Sequence, residues 1–414
     1  MKIFKQLLIA AALCATCAGF AQAQTDVLFT GSTAYRANTM NAILHQLAGN
    51  PFTYAYSAAT LGASNFAIFH GTISGNAVTV KCTWTGSEGG VQTVSAQVNV
   101  LCYNDNVVGT AGGTPSVGTP VLGGNGVNQI PDVDLSDGYQ SSSAFFGEFR
   151  GTNYPTLTES PNSPVGVVPF KWVVSKTPPA GLTNFTEQNA RYLYANGQMP
   201  LALISGNHAD EGFVVNACGR DPDSGTRLTA MAETHRGSQA SVTQYAPCTA
   251  NEDPCATAHI ITTAGGTITH YGVWPASTVN GLTYPIGDGG YSSGGQLALS
   301  MGNTSPAGNI AIAYLGTNDA DNSAIPNGAV ELSYNGSTLG NVGGNYNSVP
   351  ALTEGKYTFW GYEHLYYRTG TAGVVKTTAD AVAGQILNVD AVVFISSMQV
   401  QRQGDGQTVT AIYF

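Results

Sequence analysis

The stretch GRDPDSGTR, residues 219–227, carries four charged residues out of nine, in a chain of which only 10% is charged. The strand-like segment GFVVNACGR, residues 212–220, leads into it. The residues that follow repeat at the helical spacing i, i+3, i+4, i+7: Leu228, Met231, Ala232 and His235. Gly237 marks the end of this predicted helix. The pattern therefore predicts a strand, a Ser-Gly-Thr turn and a helix, in that order.

Two other turns have the same glycine–hydroxyl composition. TGST, residues 30–33, follows a predicted strand at 26–29. It precedes a predicted helix with these residues at helical spacing: Tyr35, Met40, Ile43, Leu44 and Leu47. TGSEGG, residues 85–90, is the second such turn. The first turn of a helix has unpaired N–H groups and a partial positive charge, so small residues there admit an anion and hydroxyls add donors. The alternative is that these Ser, Thr and Asp residues only cap helices.

Arg220 adds a guanidinium to the third turn, and its planar fork of N–H groups suits a tetrahedral oxyanion. The formal net charge of the chain is −10. An oxyanion site built from backbone dipoles and hydroxyls needs little formal charge, and it acts at short range where distant charges are screened. No basic patch is present, which excludes nucleic acid as an expected partner.

The first 23 residues have the pattern of a secretory signal peptide. Lys2 and Lys5 precede an apolar run, and Ala21-Gln22-Ala23 is a small-x-small cleavage signal. We expect cleavage after Ala23 and a periplasmic or secreted protein. Residues 1–23 hold two lysines and no acids, so the formal charge of the mature chain changes from −10 to −12. No later run reaches the roughly 20 apolar residues of a membrane span, so the chain is not expected to cross a membrane.

Strand-like and helix-like segments alternate along the chain, which favours an α/β fold. Strand patterns are predicted at 66–84, 91–103, 165–174, 308–316 and 355–367. Helices are predicted at 183–197, 374–387 and 391–400. Residues 108–131, rich in Gly, Pro, Thr and Val, predict a long surface excursion or β-arm. Five cysteines follow the signal, and we expect Cys82–Cys102 and Cys248–Cys255 disulfides with Cys218 free, although the sequence alone does not fix the pairing.

In their order along the chain, these elements resemble the phosphate-binding proteins of ABC importers, which are type 2 periplasmic binding proteins with a PBP-like domain. The resemblance covers most of the mature chain and is most specific at the Arg-x-x-x-Ser-Gly-Thr element. Its elements, in order, are residues 29–33, GSEGG at 86–90, VDLSD at 133–137, VVP at 167–169, RDPDSGT at 220–226 and GKYTFWGYEHLYY at 355–367. The chain departs from the family at Tyr35-Arg36, where an aromatic–proline pair is usual, and in the longer excursion at 91–131.

The resemblance implies two α/β lobes joined by two crossing strands. Lobe one would hold residues 24–168 and 360–414, and lobe two residues 169–359. It further implies a phosphate or related oxyanion bound between the lobes, import through an ABC permease, and no catalysis, cofactor or metal. The implied ligand residues are Ser32, Thr33, Ser87, Asp137, Arg220, Ser224, Gly225 and Thr226.

Asp137 has a physical role in this assignment. A carboxylate beside an anion is repulsive unless a proton lies between them. Hydrogen phosphate carries such a proton, whereas sulfate at neutral pH does not. Asp137 is therefore expected to favour phosphate and reject sulfate.

Other functions have weaker signals. GYSSG, residues 290–294, fits the nucleophile-elbow pattern of hydrolases, but IGDGG before it is not a buried strand. HADE, residues 208–211, suggests a metal only weakly, since no second cluster accompanies it. The aromatic residues in 357–367 suit core and hinge packing better than carbohydrate stacking. A secreted surface or matrix protein that keeps the binding-protein fold without transport is the alternative function.

Overall fold

The computed structural model describes residues 24–121 and 124–412. The signal-peptide prediction falls on residues 1–23 and so lies outside the described residues. The strands are β1 (Thr25–Gly31), β2 (Thr53–Tyr56), β3 (Phe66–Ile73), β4 (Asn76–Thr83), β5 (Val100–Tyr103), β6 (Gly126–Gln129), β7 (Val133–Ser136), β8 (Gly147–Phe149), β9 (Thr152–Tyr154), β10 (Leu157–Glu159), β11 (Gly166–Val174), β12 (Asn184–Phe185), β13 (Gln198–Pro200), β14 (Val214–Ala217), β15 (Tyr245–Cys248), β16 (His270–Val273), β17 (Ser277–Val279), β18 (Leu282–Tyr284), β19 (Asn309–Gly316), β20 (Val330–Tyr334), β21 (Trp360–Arg368), β22 (Val400–Gln401) and β23 (Thr410–Ala411).

The helices are α1 (Arg36–Leu47), α2 (Ser87–Ser95), α3 (Glu187–Asn196), α4 (Ala202–Ser205), α5 (Gly225–Glu233), α6 (Gly294–Met301), α7 (Thr317–Asp319), α8 (Pro350–Thr353) and α9 (Gly373–Gln385). No helix of the described residues is long and apolar enough to cross a bilayer.

A mixed sheet of thirteen strands organises the fold, which confirms the α/β class predicted from the sequence. Its main path runs β13-β14-β19-β11-β21-β7-β1-β4-β3-β2, and β10, β12 and β20 pair with strands of this path. β1 is parallel to both β4 and β7, and β14 is parallel to β19. Because the carboxyl ends of parallel neighbours meet at one edge, the turns that follow these strands can meet as well.

β11 and β21 connect the two halves of the sheet. The first part of β11, 166–169, pairs antiparallel with 360–363 of β21. Its second part, 170–174, pairs with β19 instead. All nine residues of β11 are buried, as the dense apolar run of 165–174 predicted. The change of partner occurs at Pro169, which cannot donate a backbone hydrogen bond.

Aromatic side chains fill the core around these strands. The ring of Trp172 on β11 lies 5.1 Å from that of Phe185 and 5.8 Å from those of Tyr194 and Tyr314. The aromatic residues of 357–367 are all buried, as expected for core packing. Residues of β21 therefore contribute to the interior and not to an exposed stacking surface.

Two secondary-structure predictions are wrong. Residues 91–103 were expected to form one strand, but 91–95 belong to α2, and only Val100–Tyr103 are extended. Val91 and Val94 are buried and lie three residues apart, which is a helical spacing. The V-x-V alternation at 98–100 is typical of a strand, so the segment carries both patterns. Residues 391–400 form no α-helix; they contain a short 3-10 turn at Ile395–Ser397 and the start of β22.

The cysteine prediction is half right. Cys248 and Cys255 form a disulfide, and Cys218 is free and buried, as expected. Cys82 and Cys102 are also free and buried, so the expected Cys82–Cys102 bond is not present. Cys82 is paired with Phe29 and shares its side of the sheet, whereas Cys102 packs with Leu28 on the other side. The sheet itself separates the two thiols because successive side chains of a strand point to opposite faces.

The excursion is largely irregular, with one regular pairing of β6 against β5. Before that pairing, Thr110 and Thr114 form isolated bridges with Tyr54 and Ala55 of β2. β2 is the last strand on its side of the sheet, so these bridges cover an otherwise open edge.

Candidate functional site

The three glycine–hydroxyl turns meet through backbone hydrogen bonds. The Gly86 N–H donates to the Gly31 carbonyl at 2.9 Å, which joins the second turn to the first. The Glu88 N–H donates to the Asp223 carbonyl at 2.9 Å, which joins the second turn to the third. Gly31 has φ +107, and a Cβ at this position would overlap the Leu135 carbonyl oxygen of β7. Only glycine fits both the conformation and the close approach.

Asp137 lies directly after β7 and contacts two of the turns. The Ser87 hydroxyl donates to its Oδ1, and the Thr226 hydroxyl donates to its Oδ2 at 3.2 Å. A Cβ on Gly225 would overlap Asp137 Oδ1, so glycine is required for this packing. Burial raises the pKa of Asp137, and the hydrogen bond from Ser87 opposes that rise. Four predicted site residues thus form one cluster: Ser87, Asp137, Gly225 and Thr226.

Arg220 and Thr33 form a second contact. Arg220 is 2% exposed. Its Nε donates to the Tyr291 carbonyl at 2.9 Å, and its Nη2 donates to the Ser292 carbonyl at 3.0 Å and to Thr33 Oγ1 at 3.3 Å. The guanidinium is therefore held in place by neutral oxygens.

Arg220 has no carboxylate within ion-pair distance in the part of the chain that the structure describes. By contrast, Arg227 pairs with Asp288 and Arg402 pairs with Glu233. Burial raises the pKa of Asp319, and the charges of Arg36 and Arg220 oppose that rise, so this carboxyl group is near Arg220 without forming an ion pair. A buried cation without a paired anion is uncommon, because burial of an unpaired charge is costly.

Ser224 caps α5, and Ser32 stabilises the turn that precedes α1. The Ser32 hydroxyl accepts from the Tyr35 N–H at 3.1 Å, and the Ser224 hydroxyl accepts from the Arg227 N–H at 3.2 Å. Both are buried beside the contacts described above. The capping interpretation considered from the sequence therefore describes the present hydrogen bond of Ser224, and each of the two hydroxyls still has a hydrogen to donate.

A fourth glycine–hydroxyl turn was missed. GYSSG, residues 290–294, was considered only as a nucleophile elbow. Tyr291 forms a bridge with Arg220, and both Tyr291 and Ser292 supply carbonyls to the guanidinium. Ser293 caps α6 through its hydroxyl. The signal for this role was present, because the segment has the same composition as the other turns and also precedes a helix.

Several carboxyl groups lie buried around the turns. Burial raises the pKa of Glu88 to about 8, although the Ser143 hydroxyl donates to its Oε2 at 2.7 Å. Burial also raises the pKa of Asp134, Asp223 and Glu363 well above their ordinary values. Neither oxygen of Asp134 has a hydrogen-bond partner among the described residues. Burial therefore favours the neutral acid form of each group, which reduces the negative charge beside Arg220.

The described residues offer little for a metal. Cys248, Glu252 and Cys255 have ligand atoms within 4.8 Å of one another, but the two sulfurs are joined in the disulfide. They cannot serve as thiolates in that state. His208 and Glu211 of the HADE segment pair only with each other on the surface.

No family model matches the chain, and no curated protein matches it. Among solved structures, the chain is similar to a putative phosphate ABC transporter substrate-binding protein with bound phosphate from Clostridium perfringens, with a TM-score of 0.42 and 10% identity over 88% of this chain and 98% of that chain. It is also similar to an ABC-type phosphate transport receptor from Vibrio cholerae, with a TM-score of 0.41 and 10% identity over 86% and 93% of the two chains. A third similar structure is a possible phosphate binding protein from Planctomyces limnophilus, with a TM-score of 0.36 and 11% identity over 83% and 82%.

Proposed function

We propose that this protein is an extracytoplasmic solute-binding protein that captures phosphate, or a similar tetrahedral oxyanion, for import by an ABC permease. The observation that carries the proposal is the buried guanidinium of Arg220, which has neutral oxygens around it and no paired carboxylate. A tetrahedral oxyanion would supply the missing negative charge and accept two N–H bonds from one guanidinium.

The anion would lie between two lobes, with residues 24–168 and 360–414 in lobe one and residues 169–359 in lobe two. Lobe one contributes Ser32, Thr33, Ser87 and Asp137, and lobe two contributes Arg220, Ser224, Gly225 and Thr226. The change of strand partner at Pro169 supports a boundary there. Contacts from both lobes stabilise the closed form, which the permease would recognise.

Asp137 would select the anion by its protonation. In the structure its two oxygens accept hydrogens from Ser87 and Thr226. With hydrogen phosphate bound, the carboxylate would accept the phosphate proton, and the two hydroxyls would donate to phosphate oxygens. Sulfate would leave Asp137 facing an oxygen without a proton, which is repulsive. The protein would bind and release the anion without chemical change.

Titration calorimetry with phosphate at pH 7 tests the proposal. We expect saturable binding at one site and at least a tenfold loss in Arg220→Met, because a charge-assisted hydrogen bond contributes about 1.5–3 kcal/mol. Arg191→Met is the matched control, since Arg191 is an arginine in a surface pair with Glu187 at 3.3 Å. Equal affinity in the Arg220 and Arg191 variants, or no binding by the unaltered protein, would rule out the assignment.

A further inference from the structure

A polar groove adjoins the candidate anion site on the side of Thr33. A narrow neck of about 20 Å³ lies between Thr33, Arg36 and Asp319. Beside it lies a groove of about 190 Å³. The neck and the groove share Thr317, Asn318 and Val392 as lining residues, so they lie side by side. The neck has room for about one water-sized group.

The neck reaches the anion site through Thr33. Its hydroxyl accepts from Arg220 at 3.3 Å, and the same residue lines the neck. Arg36 donates its Nε to the Gly62 carbonyl at 3.0 Å and its Nη1 to Asn65 at 2.7 Å, so its Nη2 makes no hydrogen bond to a described residue. A group attached to an anion beside Arg220 would therefore extend past Thr33 toward Arg36 and Asp319, which line the neck.

The free polar groups of the groove are neutral. The Asn322 amide donates to Asn318 Oδ1 at 2.9 Å, which leaves the Asn322 oxygen and the Asn318 NH₂ for another partner. Asp321, the charged residue of the groove, is already engaged by Lys171 at 2.6 Å and by the Tyr346 hydroxyl. Amide groups both donate and accept, which is also true of alcohol hydroxyls.

The groove has walls from both proposed lobes. Asn38 and Val392 line it from the first lobe, and residues 317–346 line it from the second. An occupant would therefore contact both sides, as the anion itself would. Among the described residues that line the groove beyond the neck, the one charged side chain, Asp321, is already paired, so a charged occupant would find no free partner there.

We propose that the groove binds the hydroxylated part of a phosphate monoester, such as the phosphate of a small polyol, whose phosphoryl group occupies the anion site. This inference rests on the proposed function, because the groove needs an anion beside Arg220 to orient its occupant. The single ester-linked carbon fits the neck, and the hydroxyls meet the free amide groups of Asn318 and Asn322.

Titration calorimetry at pH 7 with inorganic phosphate, methyl phosphate and glycerol 3-phosphate tests the inference. Methyl phosphate fills the neck but carries no hydroxyl. We expect glycerol 3-phosphate to bind at least tenfold more tightly than methyl phosphate. Asn318→Ala and Asn322→Ala should each reduce that ratio at least threefold and leave phosphate affinity unchanged. Asn153→Ala is the control, because Asn153 is exposed and lies outside both cavities.

The outcomes separate the two proposals. Phosphate binding with both esters a hundredfold weaker would overturn the groove proposal and leave the proposed function in place. Equal affinity for the two esters, or a ratio that neither asparagine variant changes, would also overturn it. Binding of glycerol 3-phosphate without binding of phosphate would support it. Binding of none of the three ligands would overturn the proposed function and the groove proposal together.

Discussion

Asp137 is the residue on which anion selectivity depends. Its carboxylate accepts from two hydroxyls and lies beside the first turn of α5. An amide at this position could donate as well as accept, so it would no longer exclude an oxygen without a proton. We expect Asp137→Asn to narrow the preference for phosphate over sulfate at least tenfold, measured by calorimetry with each anion. Asp288→Asn, which alters a carboxylate paired with Arg227, should lower stability without changing the ratio. An unaltered ratio in Asp137→Asn would contradict the proton-acceptor role.

Position 225 requires glycine because of a close side-chain contact, since its backbone is not left-handed. A Cβ at this position would overlap Asp137 Oδ1 and press on Ser87. Gly225→Ala should therefore displace Asp137, weaken phosphate binding at least tenfold and destabilise the fold by about 1–3 kcal/mol, the usual cost of overpacking. Calorimetry and urea denaturation measure the two effects.

Gly295→Ala is the matched control for Gly225→Ala. Gly295 also lies in the first turn of a helix, α6, but the nearest atom to its added Cβ would be Asp319 Oδ1 at 3.8 Å. We expect this variant to be neutral or slightly stabilising, since alanine favours a helix over glycine by about 1 kcal/mol. Similar losses in both glycine variants would point to a general effect on helix starts and would contradict the specific contact with Asp137.

At the scale of elements, α5 and α3 begin with comparable caps, but it is α5 whose first turn belongs to the candidate anion site. Ser224 accepts from the Arg227 N–H, and Thr186 accepts from the Asn189 N–H in a capping box. Loss of either cap costs about 1 kcal/mol of unfolding free energy. We expect Ser224→Ala to lower both stability and phosphate affinity, and Thr186→Ala to lower stability alone. Equal phosphate affinity in the two variants, measured after correction for folded fraction, would make Ser224 a cap without a binding role.

The sequence correctly predicted the elements for which the residue pattern allowed only one type of secondary structure. The first βα unit, the buried strand at 165–174 and the helix after the Ser-Gly-Thr turn are all present. Residues 91–103 were misassigned, because Val98 and Val100 alternate as in a strand while Val91 and Val94 have helical spacing, and the packing of α2 on β7 accompanies the helix. The hydrogen bonds from Arg220 to the carbonyls of Tyr291 and Ser292 join residues about 70 positions apart in the sequence, and no local pattern encodes such a contact.

For the whole molecule, the formal charge of −12 expected for the mature chain overstates the negative charge near the candidate site. Glu88, Asp134, Asp223 and Glu363 are buried, and burial raises the pKa of each. While these groups remain protonated, they can lie near a bound anion without repelling it. The same burial links the stability of the fold to pH.

Glu88 shows this linkage, because its pKa rises from 4.5 in a solvated chain to about 8 in the folded protein. Between those values the unfolded chain has released this proton and the folded chain retains it, so stability falls as pH rises. One such group lowers the unfolding free energy by up to about 1.4 kcal/mol per pH unit. We expect urea denaturation to show lower stability at pH 7.5 than at pH 5.5, and phosphate affinity to fall above pH 8 as Glu88 ionises.

Glu88→Gln isolates this contribution, because glutamine keeps an oxygen that can accept from the Ser143 hydroxyl but does not ionise. Its unfolding free energy should decline less steeply with pH than that of the unaltered protein, and its phosphate affinity should persist above pH 8. Glu148→Gln, which alters an exposed glutamate of β8, should leave both profiles unchanged. Parallel stability profiles for Glu88→Gln and the unaltered protein would mean that Glu88 is ionised in the folded state at neutral pH. The Ser87 turn would then carry a negative charge beside the anion, and the buried acids around Arg220 would not all be neutral.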